Sequence, residues 1–138
     1  MKGNMMRTKP WLPIIAGCGM ALAGSATQAA VTQDSFLLRN TSDLVDLCSA
    51  AQTDPLYTAA ANFCSGFTVG VFRVLQEEDA ARRSRHLFCL PEPAPTRNEA
   101  IARFVQWANA DAGRLKTSGA DGIATYLAQQ FPCPPAAK

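Results

Sequence analysis

The residues of this chain best suited to chemistry are its cysteines and its single histidine. Of five cysteines, Cys18 falls in an apolar N-terminal stretch, while Cys48, Cys64, Cys89 and Cys133 are spread over the remainder. His86 precedes Cys89 by three residues, the one place where a base stands close in sequence to a thiol. A cysteine nucleophile needs such a base and access to water. The two would meet only if the segment before Pro91 turned back on itself, and no triad-like signature surrounds them. A surface histidine beside a structural half-cystine is the simpler reading. Zinc is disfavoured by spacing, because there is no C-x-x-C and no second histidine.

Other candidate chemistry is equally thin. Glu77, Glu78 and Asp79 are adjacent, and adjacent residues on a helix do not converge on one face. Acids at a helix C-terminus also oppose the macrodipole, and the sequence offers no reason for them. Gly-rich phosphate loops are absent. Trp107 and Tyr126 lie beside apolar positions, which suits core or rim packing better than ligand stacking. The sequence reading is therefore of a protein with no catalytic residues, no metal and no cofactor.

The beginning of the chain has the three parts of a secretory signal peptide: Lys2, Arg7 and Lys9 without an acid, the apolar WLPIIAGCGMALAG, and the small-residue SATQAA. The apolar run is shorter than the roughly 20 residues of a membrane span. Ile15-Ala16-Gly17-Cys18 also fits a lipobox, but the apolar run continues past Cys18, which favours ordinary cleavage near Ala29 or Ala30. The expected organisation is a signal peptide over residues 1–30 and one helical domain over 31–138, exported to the periplasm. Removing the signal leaves 10 of the 13 basic residues against all 11 acids. So neutral a domain has no long-range field for nucleic acid, and the RRSRH cluster at 82–86 is offset by the acids just before it. In an oxidising compartment, the even count of four cysteines reads as two disulfides.

Helix signals punctuate the exported part. Asn40 and Thr41 are cap candidates before Leu44, Leu47, Cys48 and Ala51, which share one face and point Cys48 into the core. Asp54-Pro55 starts a second helix running to about Glu77. Its apolar residues surround so much of the circumference that it is expected to be central and covered by the others. Gly66 and Gly70, one turn apart, are expected to admit a close backbone, since each costs about 1 kcal/mol of helix propensity. A membrane pairing role for this G-x-x-x-G is disfavoured by Arg73 and the QEED that follows.

Pro91, Pro93 and Pro95 forbid a continuous helix between Asp79 and Pro95, so the chain crosses the bundle there. Thr96 and Glu99 form a capping box for a third helix with Ile101, Phe104, Val105 and Ala108 on its inner face. GRLKTSG reads as a loop. Ser118 and Asp121 cap a fourth helix, with Ile123, Tyr126, Leu127 and Phe131 inward and Pro132 as its stop. The fold class expected is all-α, a small four-helix bundle of roughly 90 to 100 residues stapled by two disulfides. Four cysteines allow three connectivities; the pairing expected is Cys64 with Cys89 and Cys48 with Cys133.

The ordered set Cys48, CSGFTVG at 64–70, Cys89-Leu90-Pro91 and YLAQQFPC ending at Cys133 resembles the Rap/Tai family of immunity proteins for type VI secretion amidase effectors, over roughly Leu37 to Cys133. The resemblance implies a periplasmic, non-catalytic helical protein, often a homodimer, that binds a bacterial cell-wall amidase and blocks its cleft. The loops free to make that contact are Asp79–Pro95, with Arg82, Arg83, Arg85 and His86, and Gly113–Gly119. The competing expectation is an orphan periplasmic protein with a chaperone-like or envelope-stress role.

Overall fold

The computed structural model describes residues 30–82 and 86–135. The expected signal peptide, but for its final residue, and Cys18 lie outside the described residues. A short 3-10 helix, Gln33–Leu37, is followed by α1 (Thr41–Cys48), α2 (Tyr57–Ala81), α3 (Arg97–Asn109), α4 (Ala112–Leu115) and α5 (Gly119–Gln130). There is no strand among the described residues, so the all-α expectation holds.

Local capping chemistry sets most of the boundaries. Asn40 caps α1 by accepting the Asp43 amide at 3.1 Å. Thr96 and Glu99 exchange the reciprocal bonds of a capping box, 3.3 Å from the Glu99 amide to Thr96 Oγ1 and 2.8 Å from the Thr96 amide to Glu99 Oε2. The Thr96 amide, and next the Thr96 hydroxyl donating to the same oxygen at 2.8 Å, hold the Glu99 carboxyl below its ordinary pKa. Ser118 accepts the Asp121 amide at the start of α5. Asp54-Pro55 does not open α2, which runs from Tyr57 to Ala81 with Leu56 as its N-cap and no side-chain cap bond. Asp54 sits in the preceding turn, where one carboxylate oxygen accepts the Leu56 amide at 2.8 Å and the other the Val31 amide at 3.0 Å, tying the N-terminal segment to the α1–α2 turn. Part of the expected GRLKTSG loop is instead α4, a single turn capped by Asp111 through the Gly113 amide.

The central helix is α1, not α2. Leu44 and Leu47 are fully buried, and α1 packs on α2, α3 and α5 at once. Around Leu44 and Val45 gather Phe104, Trp107 and Ala108 of α3, Ile123, Tyr126 and Leu127 of α5, and Phe88 and Phe131 from the connecting segments. Within this set Phe104, Trp107, Tyr126 and Phe131 form an aromatic chain with ring centroids 5.6 to 6.1 Å apart. Trp107 is fixed further by its indole N–H donating to Gln129 and by the Arg114 guanidinium 4.4 Å over its ring.

The expectation that α2 is covered on all sides fails. Only Ala60, Cys64 and Asp79 of its 25 residues are buried, and Val69 and Val74 stand in solvent. Gly66 and Gly70 admit no close neighbour: a Cβ at either position meets no atom within 4 Å. The close approach is elsewhere. Gly122 on α5 faces Thr41 on α1, where an added Cβ would fall against the threonine hydroxyl and 3.1 Å from its methyl. By length and composition alone α2 would suffice to cross a membrane, but here it packs on α1 and α5.

The disulfides pair Cys48 with Cys64 and Cys89 with Cys133, which corrects the expected connectivity. The reason is which faces meet. α1 and α2 pack directly, bringing Cys48 and Cys64 to a Cα separation of 5.1 Å, and Cys48 is half-buried there rather than pointing into the centre. The crossing segment does not return to Cys64. It passes the end of α5, where the Cys89 amide donates to the Phe131 carbonyl at 2.8 Å and places Cys89 beside Cys133.

Candidate functional site

The crossing segment is anchored at its start by an acid whose purpose was illegible in sequence. Asp79, buried at the end of α2, accepts the Leu87 amide on one carboxylate oxygen and meets His86 Nδ1 at 2.9 Å on the other. The Leu87 amide bond first, and then His86, hold the Asp79 carboxyl below the ordinary aspartate range, against the opposing effect of burial. Phe88 then inserts into the core against Phe72, with ring centroids 5.8 Å apart. Three successive residues, His86 to Phe88, are thus pinned where the chain resumes after residues 83–85.

Of the four partner-contact candidates, Arg82 and His86 are exposed at the two ends of that loop. Arg83 and Arg85 lie outside the described residues. His86 turns to Asp79, and Cys89 is bonded to Cys133, so the pair makes no thiol–imidazole dyad. Glu77 and Glu78 are exposed while Asp79 is buried, and the three carboxylates serve no common point. No group of three or more His, Cys, Asp or Glu residues converges among the described residues.

The second candidate loop, 113–119, is locked down. The Thr41 amide donates to the Thr117 carbonyl at 2.7 Å, and the Thr41 hydroxyl lies 3.0 to 3.1 Å from the Thr117 and Ser118 carbonyls and the Thr117 hydroxyl. Thr41, flagged by the sequence only as a cap candidate, is instead the buried polar link between α1 and the entry to α5.

A concavity between two helices went unforeseen in the sequence. α2 and α3 barely touch, and between them lies a half-open groove of about 670 Å³. Phe72, Phe104, Ile123, Leu127 and Phe131 form its apolar surface, Leu90, Ala94 and Pro95 of the crossing segment close one side, and Arg73 and Arg97 stand on its α2 and α3 walls. Its only sequence signal was that α2 carries more apolar residues than its neighbours can bury. Tyr126 also borders the groove. Its buried hydroxyl has no hydrogen-bond partner, and desolvation raises its pKa.

Comparison with known proteins adds one match. The family model described as Rap1a immunity proteins matches residues 40–133, which include both disulfides, the crossing segment and every helix from α1 to α5. No curated protein and no solved structure matches the chain.

Proposed function

Because this chain belongs to the Rap1a immunity protein family, we propose that it is a periplasmic, non-catalytic protein that binds and inhibits the peptidoglycan amidase delivered by a type VI secretion system. Export would follow from the signal peptide expected over residues 1–30, and two disulfides suit an oxidising compartment. The family match carries this reading. The body supports it in physical terms: the candidate contact loop is anchored at residues 86–89, by Asp79, by the burial of Phe88 and by the Cys89–Cys133 bond. A loop fixed in this way loses little freedom when it enters an enzyme's cleft. We assign the amidase contact to this loop, with Arg82, Arg83, Arg85 and His86 as its polar groups.

A homodimer is part of the same reading. Gly66, Gly70 and Val74 form an open stripe on α2, and glycines without neighbours let a second helix approach closely. The test is direct. The oxidised exported form should co-purify with the amidase encoded beside it and suppress that enzyme's hydrolysis of peptidoglycan. Full hydrolysis in the presence of excess protein would refute the proposal.

A further inference from the structure

We propose that the groove between α2 and α3 is the seat for an amphipathic helix of the effector, one that presents apolar side chains flanked by carboxylates. The inference rests on the immunity reading above and adds to it a second contact surface and the chemistry of what fills it.

The groove exists because α2, at 25 residues, outruns the elements that pack on it and barely touches α3. Val69 and Leu90, each 37 % exposed, stand at its edge above the apolar residues of α3 and α5. Covering such surface is favourable because it removes apolar area from water. The two charged side chains that line it are both basic, and the nearby Glu99 carboxylate is engaged by the Thr96 amide and hydroxyl at 2.8 Å. Arg73 on α2 and Arg97 on α3 border the groove and no acid does. Neither guanidinium is in an ion pair among the described residues; Arg73 donates to Gln76 at 2.9 Å and lies 6.0 Å over the Phe72 ring. Apolar walls with two unpaired guanidinium groups complement a segment that is apolar and acidic together, and each guanidinium can hold a carboxylate bidentately.

The form of the segment follows from the walls. Both long walls are helices, whose backbone groups are satisfied internally, so an extended peptide finds no edge on which to add a strand. Affinity must come through side chains, which a helix delivers at i, i+3 and i+4. An acyl chain with an acidic head shares the charge but fits less well, since a half-open groove leaves much of its tail in water.

The experiment is calorimetric titration of the oxidised exported protein with the neighbouring amidase. It compares the wild type with Arg73→Glu/Arg97→Glu and with the milder Arg73→Gln/Arg97→Gln. All four substitutions replace exposed side chains, and thermal melting and sedimentation of each variant check fold and oligomeric state. The expected result is binding weakened at least about tenfold by the glutamates and less by the glutamines. The salt dependence of the wild type should be reduced in both. Wild-type binding with no loss in either variant overturns the groove proposal and leaves the immunity reading standing. No binding by the wild type overturns both. Native mass spectrometry that finds a lipid acid bound, displaced by neither the amidase nor its helical segments, assigns the groove to lipid and also overturns the proposal.

Discussion

Substituting Gly122 by alanine tests whether α1 and α5 are held at the separation seen here. The new methyl would fall against the Thr41 hydroxyl, 3.1 Å from its Cγ2 and 3.4 Å from its Cβ. Thr41 cannot rotate away freely, because it is fully buried and its hydroxyl is bonded into the Thr117–Ser118 turn. Overpacking of this kind costs about 1–3 kcal/mol, and displacing a buried hydroxyl from its acceptor adds about 1 kcal/mol. Better helix propensity returns about 1 kcal/mol. The net loss is about 2 kcal/mol, or roughly 10 °C in melting temperature for a domain of this size. The assay is thermal denaturation of the oxidised protein followed by circular dichroism, run as a double-mutant cycle with Thr41→Ala. Thr41→Ala takes away the hydroxyl and the methyl that the new group would crowd and leaves only Cβ at an ordinary 3.4 Å contact, so Gly122→Ala in that background should cost little. An alanine variant as stable as the wild type, or a cost undiminished by Thr41→Ala, would refute the packing argument.

Gly66→Ala and Gly70→Ala should act in the opposite direction, each raising the stability of the monomer by up to about 1 kcal/mol in denaturant titration, because neither new methyl meets a neighbour. In sedimentation the same substitutions should weaken self-association. Proteolytic mapping under non-reducing conditions should recover Cys48–Cys64 and Cys89–Cys133 peptides. Replacing both cysteines of a pair by serine should cost about 3 kcal/mol for the first and about 4 kcal/mol for the second on loop-closure entropy, since the sequence separations are 16 and 44. Asp79→Asn should flatten the acid limb of the stability profile. The folded carboxyl titrates below its unfolded value of about 3.9, so its contribution is complete above that pH and is lost as pH falls through the lower folded pKa. Melting temperatures of wild type and variant that fall in parallel below pH 4 would exclude the role given to the carboxylate.

The misreading of α2 and the missing groove have one cause. Apolar residues around most of a helix signal burial only when enough neighbours exist to supply it. At about 1.5 Å per residue, the 25 residues of α2 extend roughly 37 Å, while the eight of α1 and the twelve of α5 extend about 12 and 18 Å. The shorter helices cover part of α2, and the rest is left as the exposed stripe and the apolar side of the groove. Asp79 was obscure for a related reason. Its partners, His86 and Leu87, lie seven and eight residues away across a change of chain direction, so only its unfavourable position at the end of a helix showed locally.

Sequence by itself determined the all-α class, the capping of α1, α3 and α5, the inward face of the last two helices and the resemblance to an immunity family. Each of these is written within one or two turns of chain, where caps and apolar periodicity act. Tertiary structure alone decided that the eight-residue α1 is the centre, that Gly122 and not Gly66 or Gly70 is the point of close approach, and which cysteines meet. Those outcomes depend on relative helix lengths and on which faces pack across the whole chain, and no local pattern encodes a distance between segments 80 residues apart.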